Sequence, residues 1–114
     1  MNVNLKLIIL HVDLQTLANG CLLENDVLIS RPLLNSDISG GLRDILVECL
    51  EIRPEWVRFN LIDVIQEESN VSIVYSCLIP SILQNLKGKW TQLGEINDKQ
   101  IKKLVFQASQ TGRC

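Results

Sequence analysis

Aromatic residues are scarce in this chain. Trp56, Phe59, Tyr75, Trp90 and Phe106 are the whole set, 4% of 114 residues. There is one histidine, His11, so any Ser/His/Asp or Cys/His nucleophilic arrangement must include it. With no partner placed by the sequence, His11 reads as a strand-end histidine with a satisfied hydrogen bond. Cys21, Cys49, Cys77 and Cys114 form no close pair of the kind that structural zinc sites use. They read as three buried apolar thiols and an exposed one, Cys114, near the end. There is no basic excess: 11 Lys and Arg stand against 13 Asp and Glu, with a net charge of −2. Such a surface lacks the positive stripe that a phosphate backbone demands, so no nucleic-acid partner is expected. No apolar run approaches the roughly 18 to 20 residues of a membrane span. Leu7 to Leu10 is followed at once by His11 and Asp13, which is unlike a signal peptide. The expectation is a soluble cytoplasmic protein.

What is there is core material. The apolar fraction is 46% and mean hydropathy is +0.18, enough for one compact domain over residues 1–114. The clearest element is a helix from Ser39 to Ile52. Leu42, Ile45, Leu46, Cys49 and Leu50 repeat at the spacing of one buried helical face. Asp44, Glu48 and Glu51 share another stripe, which is either a solvated face or part of a metal site. Asn35-Ser36-Asp37 or Ser39 supplies the cap. Gly40 and Gly41 lower the propensity of the first turn, and Arg53-Pro54 supplies the stop.

Strands flank that helix. Leu5 to Asp13 is apolar on both faces, as in a strand covered on both sides. Cys21–Leu23 and Val27–Ile29, separated by Glu24-Asn25-Asp26, predict a tight hairpin. Trp56 to Gln66 and Val71 to Ile79 predict a longer hairpin around Glu67–Asn70. In its first strand Asn60, Ile62 and Val64 alternate with Leu61, Asp63 and Ile65. Ser81–Leu86 reads as a short helical turn and Gly88–Leu93 as an extended piece around Trp90. A final helix runs from about Asp98 to Ser109, with Asn97 and Gln100 at the spacing of a capping box.

With those segments in view, the chain resembles a small Nudix-fold domain. Gly20–Arg31 is similar to that family's hairpin, Val71–Pro80 to the strand after its motif, and Lys89–Glu95 to its tryptophan-bearing piece. The resemblance implies an α/β (α+β) fold: a mixed sheet sandwiched between helices. The family's box is G-x5-E-x7-R-E-U-x-E-E-x-G-U, with U a bulky apolar residue. Its glutamates hold a divalent metal against a diphosphate, since hard cations take several oxygen ligands at once. Aligned on Arg43, the box keeps Arg43, Ile45 and Glu48 and has Asp44 for its first helical glutamate. Val47 stands at a glutamate position, Leu50 and Ile29 at glycine positions, and Asn35 at the upstream glutamate position.

A box with those gaps implies a non-catalytic Nudix-like domain, a binding or assembly module. It would act through protein contacts, with a protein partner or a second copy, and need no cofactor. Arg43, Trp56 and Trp90 are its candidate binding residues, and a nucleotide-like ligand fits the same resemblance. The alternative is a magnesium-dependent hydrolase of a nucleoside diphosphate linked to another moiety. Glu48 would then be catalytic, and Asp44, Glu48 and Glu51 would hold the metal.

Overall fold

The computed structural model describes residues 2–12, 19–33, 37–50, 57–79 and 88–110. Their strands are β1 (Asn2–Val12), β2 (Asn19–Glu24), β3 (Val27–Pro32), β4 (Asn60–Glu67), β5 (Asn70–Ile79) and β6 (Lys89–Gln92). The helices are α1 (Ile38–Cys49) and α2 (Lys99–Gln110), with one 3-10 turn at Leu93–Glu95 before α2. The strands form one mixed sheet in the order β4-β5-β1-β3-β2-β6. β1 runs parallel to β5, in register from Asn2–Asn70 to His11–Ile79. On its other side β1 branches. Asn4 to Leu7 pair with β3, and Leu10 to Val12 pair with β2.

The two apolar faces expected of β1 are each used. Leu5, Leu7 and Ile9 join Leu22, Ile29, Cys77 and Ile79 beneath Leu42, Ile45, Leu46 and Cys49 of α1. Ile8 and Leu10 join Cys21, Leu23, Leu28 and Val74 beneath Ile101, Leu104, Val105 and Ala108 of α2. The sheet is thus sandwiched between helices, as anticipated. Leu7 and Ile8, adjacent in sequence, are both fully buried and serve opposite layers. Burying a side chain of that size contributes about 1.5–3 kcal/mol.

α1 takes one of its two expected caps and ends earlier than its sequence reading. Asp37 is its cap: one carboxylate oxygen accepts from the Gly40 N–H at 2.9 Å. The helix ends at Cys49, before Arg53-Pro54. Leu50 turns extended, donates its N–H to the Leu46 carbonyl at 2.8 Å and buries its side chain to 1% exposure. The helix thus stops one residue short of Leu50, which still fills the buried face expected of it. The glycines also have a use. A Cβ on Gly41 would stand 2.5 Å from Leu5 Cδ1, so the glycine lets α1 cross close over β1.

β4 corrects a second expectation. Its alternation does not run unbroken, because the register slips between Leu61, opposite Tyr75, and Asp63, opposite Val74. Ile62 is the extra residue of a β-bulge. The slip puts Leu61 and Val64 on the α1 side and carries Ile65 over to the α2 side, where it packs beside buried Ile62. Gln107 of α2 donates to the Ile62 carbonyl at 3.1 Å, giving a partner to a carbonyl at the bulge.

The β2–β3 turn has Asn25 and Asp26 at φ of 54° and 64°, the left-handed pair that a two-residue hairpin requires. α2 begins at Lys99, and its cap is Asp98 rather than Asn97. Asp98 Oδ1 accepts from the N–H groups of Gln100 at 2.9 Å and Ile101 at 3.1 Å. The expected turn at Ser81–Leu86, Trp56 and the tail with Cys114 lie outside the described residues.

Candidate functional site

Successive strand residues point to opposite faces, so the α1 side of the sheet collects alternate residues of β1, β2 and β3. Glu24 at the end of β2 and Arg31 near the end of β3 face that side. Glu48, in the last turn of α1, comes down onto them.

Arg31 organises the group. Its Nε and one terminal nitrogen donate to the two oxygens of Glu48 at 3.2 and 2.9 Å. Its terminal nitrogens also donate to the two oxygens of Glu24 at 3.2 and 3.1 Å. A further bond at 2.9 Å reaches the Ser30 carbonyl. One planar guanidinium thus holds two carboxylates, each through both oxygens, a geometry that lysine cannot reproduce. The three side chains are only 28–35% exposed, so solvent screens the pairs incompletely. The hydrogen bonds from Glu48, then those from Glu24, raise the Arg31 pKa further above its already high ordinary value. Arg31 stays charged at any workable pH.

Sequence reasoning singled out Glu48 but not Arg31. Arg31 read only as the residue before a strand-ending proline, and Glu24 as one side of a turn and a carboxylate that could substitute for the one missing at Val47. Their signal in the sequence is slight: two opposite charges on one hairpin, Glu24 beside its turn and Arg31 five residues beyond it.

The other candidates are dispersed. Arg43 and Asp44 are exposed on the outer surface of α1, and so is Val47 at 55%. Glu51 and Trp56 lie outside the described residues. Trp90 is half-buried on β6, opposite Leu22, and packs against the α1-side core, as core packing predicts. Its ring lies 5.1 Å from that of His11, tilted by 51°. His11 is half-buried, and its Nδ1 is buried without a hydrogen-bond partner. The strand-end histidine expected to be satisfied is therefore not satisfied at that nitrogen. It sits one residue before the end of β1, beside the Trp90 ring.

A hard divalent cation takes about six oxygen ligands. Among the described residues no three of His, Cys, Asp and Glu stand close enough together to hold a metal ion. Asp44 points to solvent, and the oxygens of Glu48 accept from Arg31. The described donors do not fit magnesium.

A mixed sheet between two helices, with a hairpin leading into a helix over one face, defines an α/β/α sandwich. No protein-family model matches the sequence, and no curated protein matches it. Solved structures do. The Nudix domain of Shewanella oneidensis NrtR, complexed with ADP ribose, superposes with a TM-score of 0.68 at 12% identity. That match covers 95% of this chain and 86% of that one. A putative Nudix hydrolase from Listeria monocytogenes matches with a TM-score of 0.62 at 10% identity, over 95% and 92% of the two chains. A MutT/Nudix family protein from Enterococcus faecalis matches at 0.59 and 11% identity, over 80% of this chain but 43% of that longer one. The chain has the Nudix fold. No helix among the described residues is long and apolar enough to cross a membrane.

Proposed function

We propose that this chain is a non-catalytic Nudix-fold module that works by binding, through protein contacts. The observation that carries this reading is the state of Glu48. Of the carboxylates that the Nudix resemblance assigns to metal and catalysis, it is the one described as facing the sheet. Both its oxygens are bonded to Arg31. A catalytic base must accept a proton from water, and a metal ligand must offer a lone pair. Each Glu48 oxygen instead accepts from a guanidinium, which competes with both roles, and Val47 beside it has no oxygen to offer.

Three exposed apolar residues favour a protein partner. Val47 on α1 and Leu61 and Val64 on the edge strand β4 are each more than half exposed. Arg43 lies one helical turn from Val47 on the same outer surface, and arginine with apolar side chains is characteristic of interface patches. A second copy of the chain is the first partner to test.

A second reading, a nucleotide-like ligand, draws on two observations. The Shewanella domain is complexed with ADP ribose, and the buried Nδ1 of His11 lacks a partner beside the Trp90 ring.

Two measurements decide among these. The first is incubation with magnesium and either ADP-ribose or nucleoside triphosphates. The expected result is no phosphate or nucleotide product. Turnover that disappears in Glu48→Gln would establish the hydrolase instead. The second is sedimentation over a concentration series, with Leu61→Glu and Val64→Glu as controls. Concentration-dependent association that both variants abolish supports protein contacts. A monomer throughout that binds ADP-ribose in calorimetry, with loss of binding in Trp90→Ala, supports the nucleotide reading.

A further inference from the structure

We propose that Arg31 is a built-in cation. Its guanidinium occupies the position between Glu24 and Glu48 where a divalent ion would otherwise be drawn, and it ties the β2–β3 hairpin to α1 without any metal. The inference rests on the non-catalytic reading and goes beyond it, because it names what suppresses cation binding.

Glu24 and Glu48 come from separate elements, β2 and α1, yet their carboxylates converge on one point. Two carboxylates brought together without a cation repel, and one of them would be driven to take up a proton. Bridging them takes a positive group that reaches four oxygens at once. A metal ion does so with inner-sphere ligands and retained waters. The Arg31 fork does so with four N–H···O contacts between 2.9 and 3.2 Å. The remaining donor contact, to the Ser30 carbonyl of its own strand, fixes the guanidinium in that position. The charge, and one lone pair on each of the four oxygens, are therefore already engaged. Removal of the guanidinium, with the aliphatic stem kept, takes away those four contacts and the positive charge that excludes a hydrated divalent ion.

The test is Mn2+ binding to the full chain, read from the loss of the free-ion paramagnetic resonance signal. Four proteins are compared: wild type, Arg31→Met, Arg31→Lys and Arg31→Met with Glu48→Gln. Methionine keeps an apolar stem without charge. Lysine keeps one charge but cannot fork onto both carboxylates. The expected result is weak binding by wild type and binding tighter by about tenfold or more in Arg31→Met, a difference of about 1.4 kcal/mol. Arg31→Lys falls between them, and Glu48→Gln removes the gain. Circular dichroism establishes which variants are folded, and if Arg31→Met is not, Arg31→Lys alone decides. Folded variants that bind Mn2+ no more tightly than wild type overturn the proposal, and leave the non-catalytic reading intact. Tight Mn2+ binding by wild type itself overturns the proposal as well. Turnover of a nucleotide by wild type would overturn the non-catalytic reading, which separates the two failures.

Discussion

Cys21 lies 1% exposed between β1 and β6, donating weakly from Sγ to the Leu22 carbonyl at 3.9 Å. Burial pushes its thiol pKa from 9.0 up to about 12. Cys77 is pushed up in the same direction, first by burial and then by the charge that Cys21 would carry. Thiolate is the reactive form, so both residues should resist a thiol reagent in the native protein and react in denaturant. The linkage has a definite sign. The folded pKa exceeds the unfolded one, so the neutral thiol's contribution is fully present below pH 9.0 and is lost as pH rises toward about 12. The slope is on the order of 1 kcal/mol per pH unit for each thiol. Thermal melts above pH 9 should therefore fall less steeply for Cys21→Ala than for wild type. Equal slopes would mean that Cys21 is not the group responsible. The buried character of Cys21, Cys49 and Cys77 was legible in the sequence, because each sits among apolar neighbours at the right period. The unsatisfied Nδ1 of His11 was not legible. It depends on which ring ends up beside β1, and Trp90 arrives from 79 residues further along the chain, across the sheet.

At the scale of elements, α1 and α2 show how far local signals reach. Their apolar faces, Leu42-Ile45-Leu46-Cys49 and Ile101-Leu104-Val105-Ala108, were readable from the 3.6-residue period and are the buried faces. Their starts were readable to within a residue, but the choice of cap and the end of α1 were not. Asp37 and Asp98 cap, while the neighbouring candidates Ser39 and Asn97 do not, since several polar residues compete for one set of N–H groups. Gly41 illustrates the gap between propensity and packing. On an exposed helix, Gly41→Ala would add about 1 kcal/mol of stability. Here the new Cβ meets Leu5 Cδ1, the end of a side chain that is itself only 1% exposed and has little room to move. Gly41→Ala should instead destabilise by about 1–3 kcal/mol in denaturant unfolding. Leu5→Val should recover part of that loss, giving a coupling energy of about 0.5 kcal/mol or more in a double-mutant cycle. A stabilised Gly41→Ala would mean that α1 does not cross β1 as closely as described. The bulge at Ile62 is the other element-scale lesson. A strict period of two cannot report an inserted residue, and the slip appears only when β4 is set against β5.

At the scale of the molecule, β1 couples everything. It has a helical layer on each face, a parallel neighbour on one side and two antiparallel neighbours on the other. Leu7 and Ile8 are adjacent residues in separate cores. Leu7→Ala and Ile8→Ala should each cost about 2–5 kcal/mol. Because the cores share β1, each variant should lower one common unfolding transition, seen alike by circular dichroism and by tryptophan fluorescence. Two separated transitions would show that the layers unfold independently.

The sequence by itself determined the composition of the sandwich: which segments are strands or helices, and which side chains are apolar enough to form two layers. Those properties are local, set by period, propensity and residue chemistry. Only the tertiary structure decided what Glu48 does. Glu24, Arg31 and Glu48 are 7 and 17 residues apart in sequence, in two strands and a helix, and no local pattern links them. The convergence of β2, β3 and α1 places one guanidinium between two carboxylates, so a helix with a seemingly open acidic stripe carries an occupied ion pair at its base.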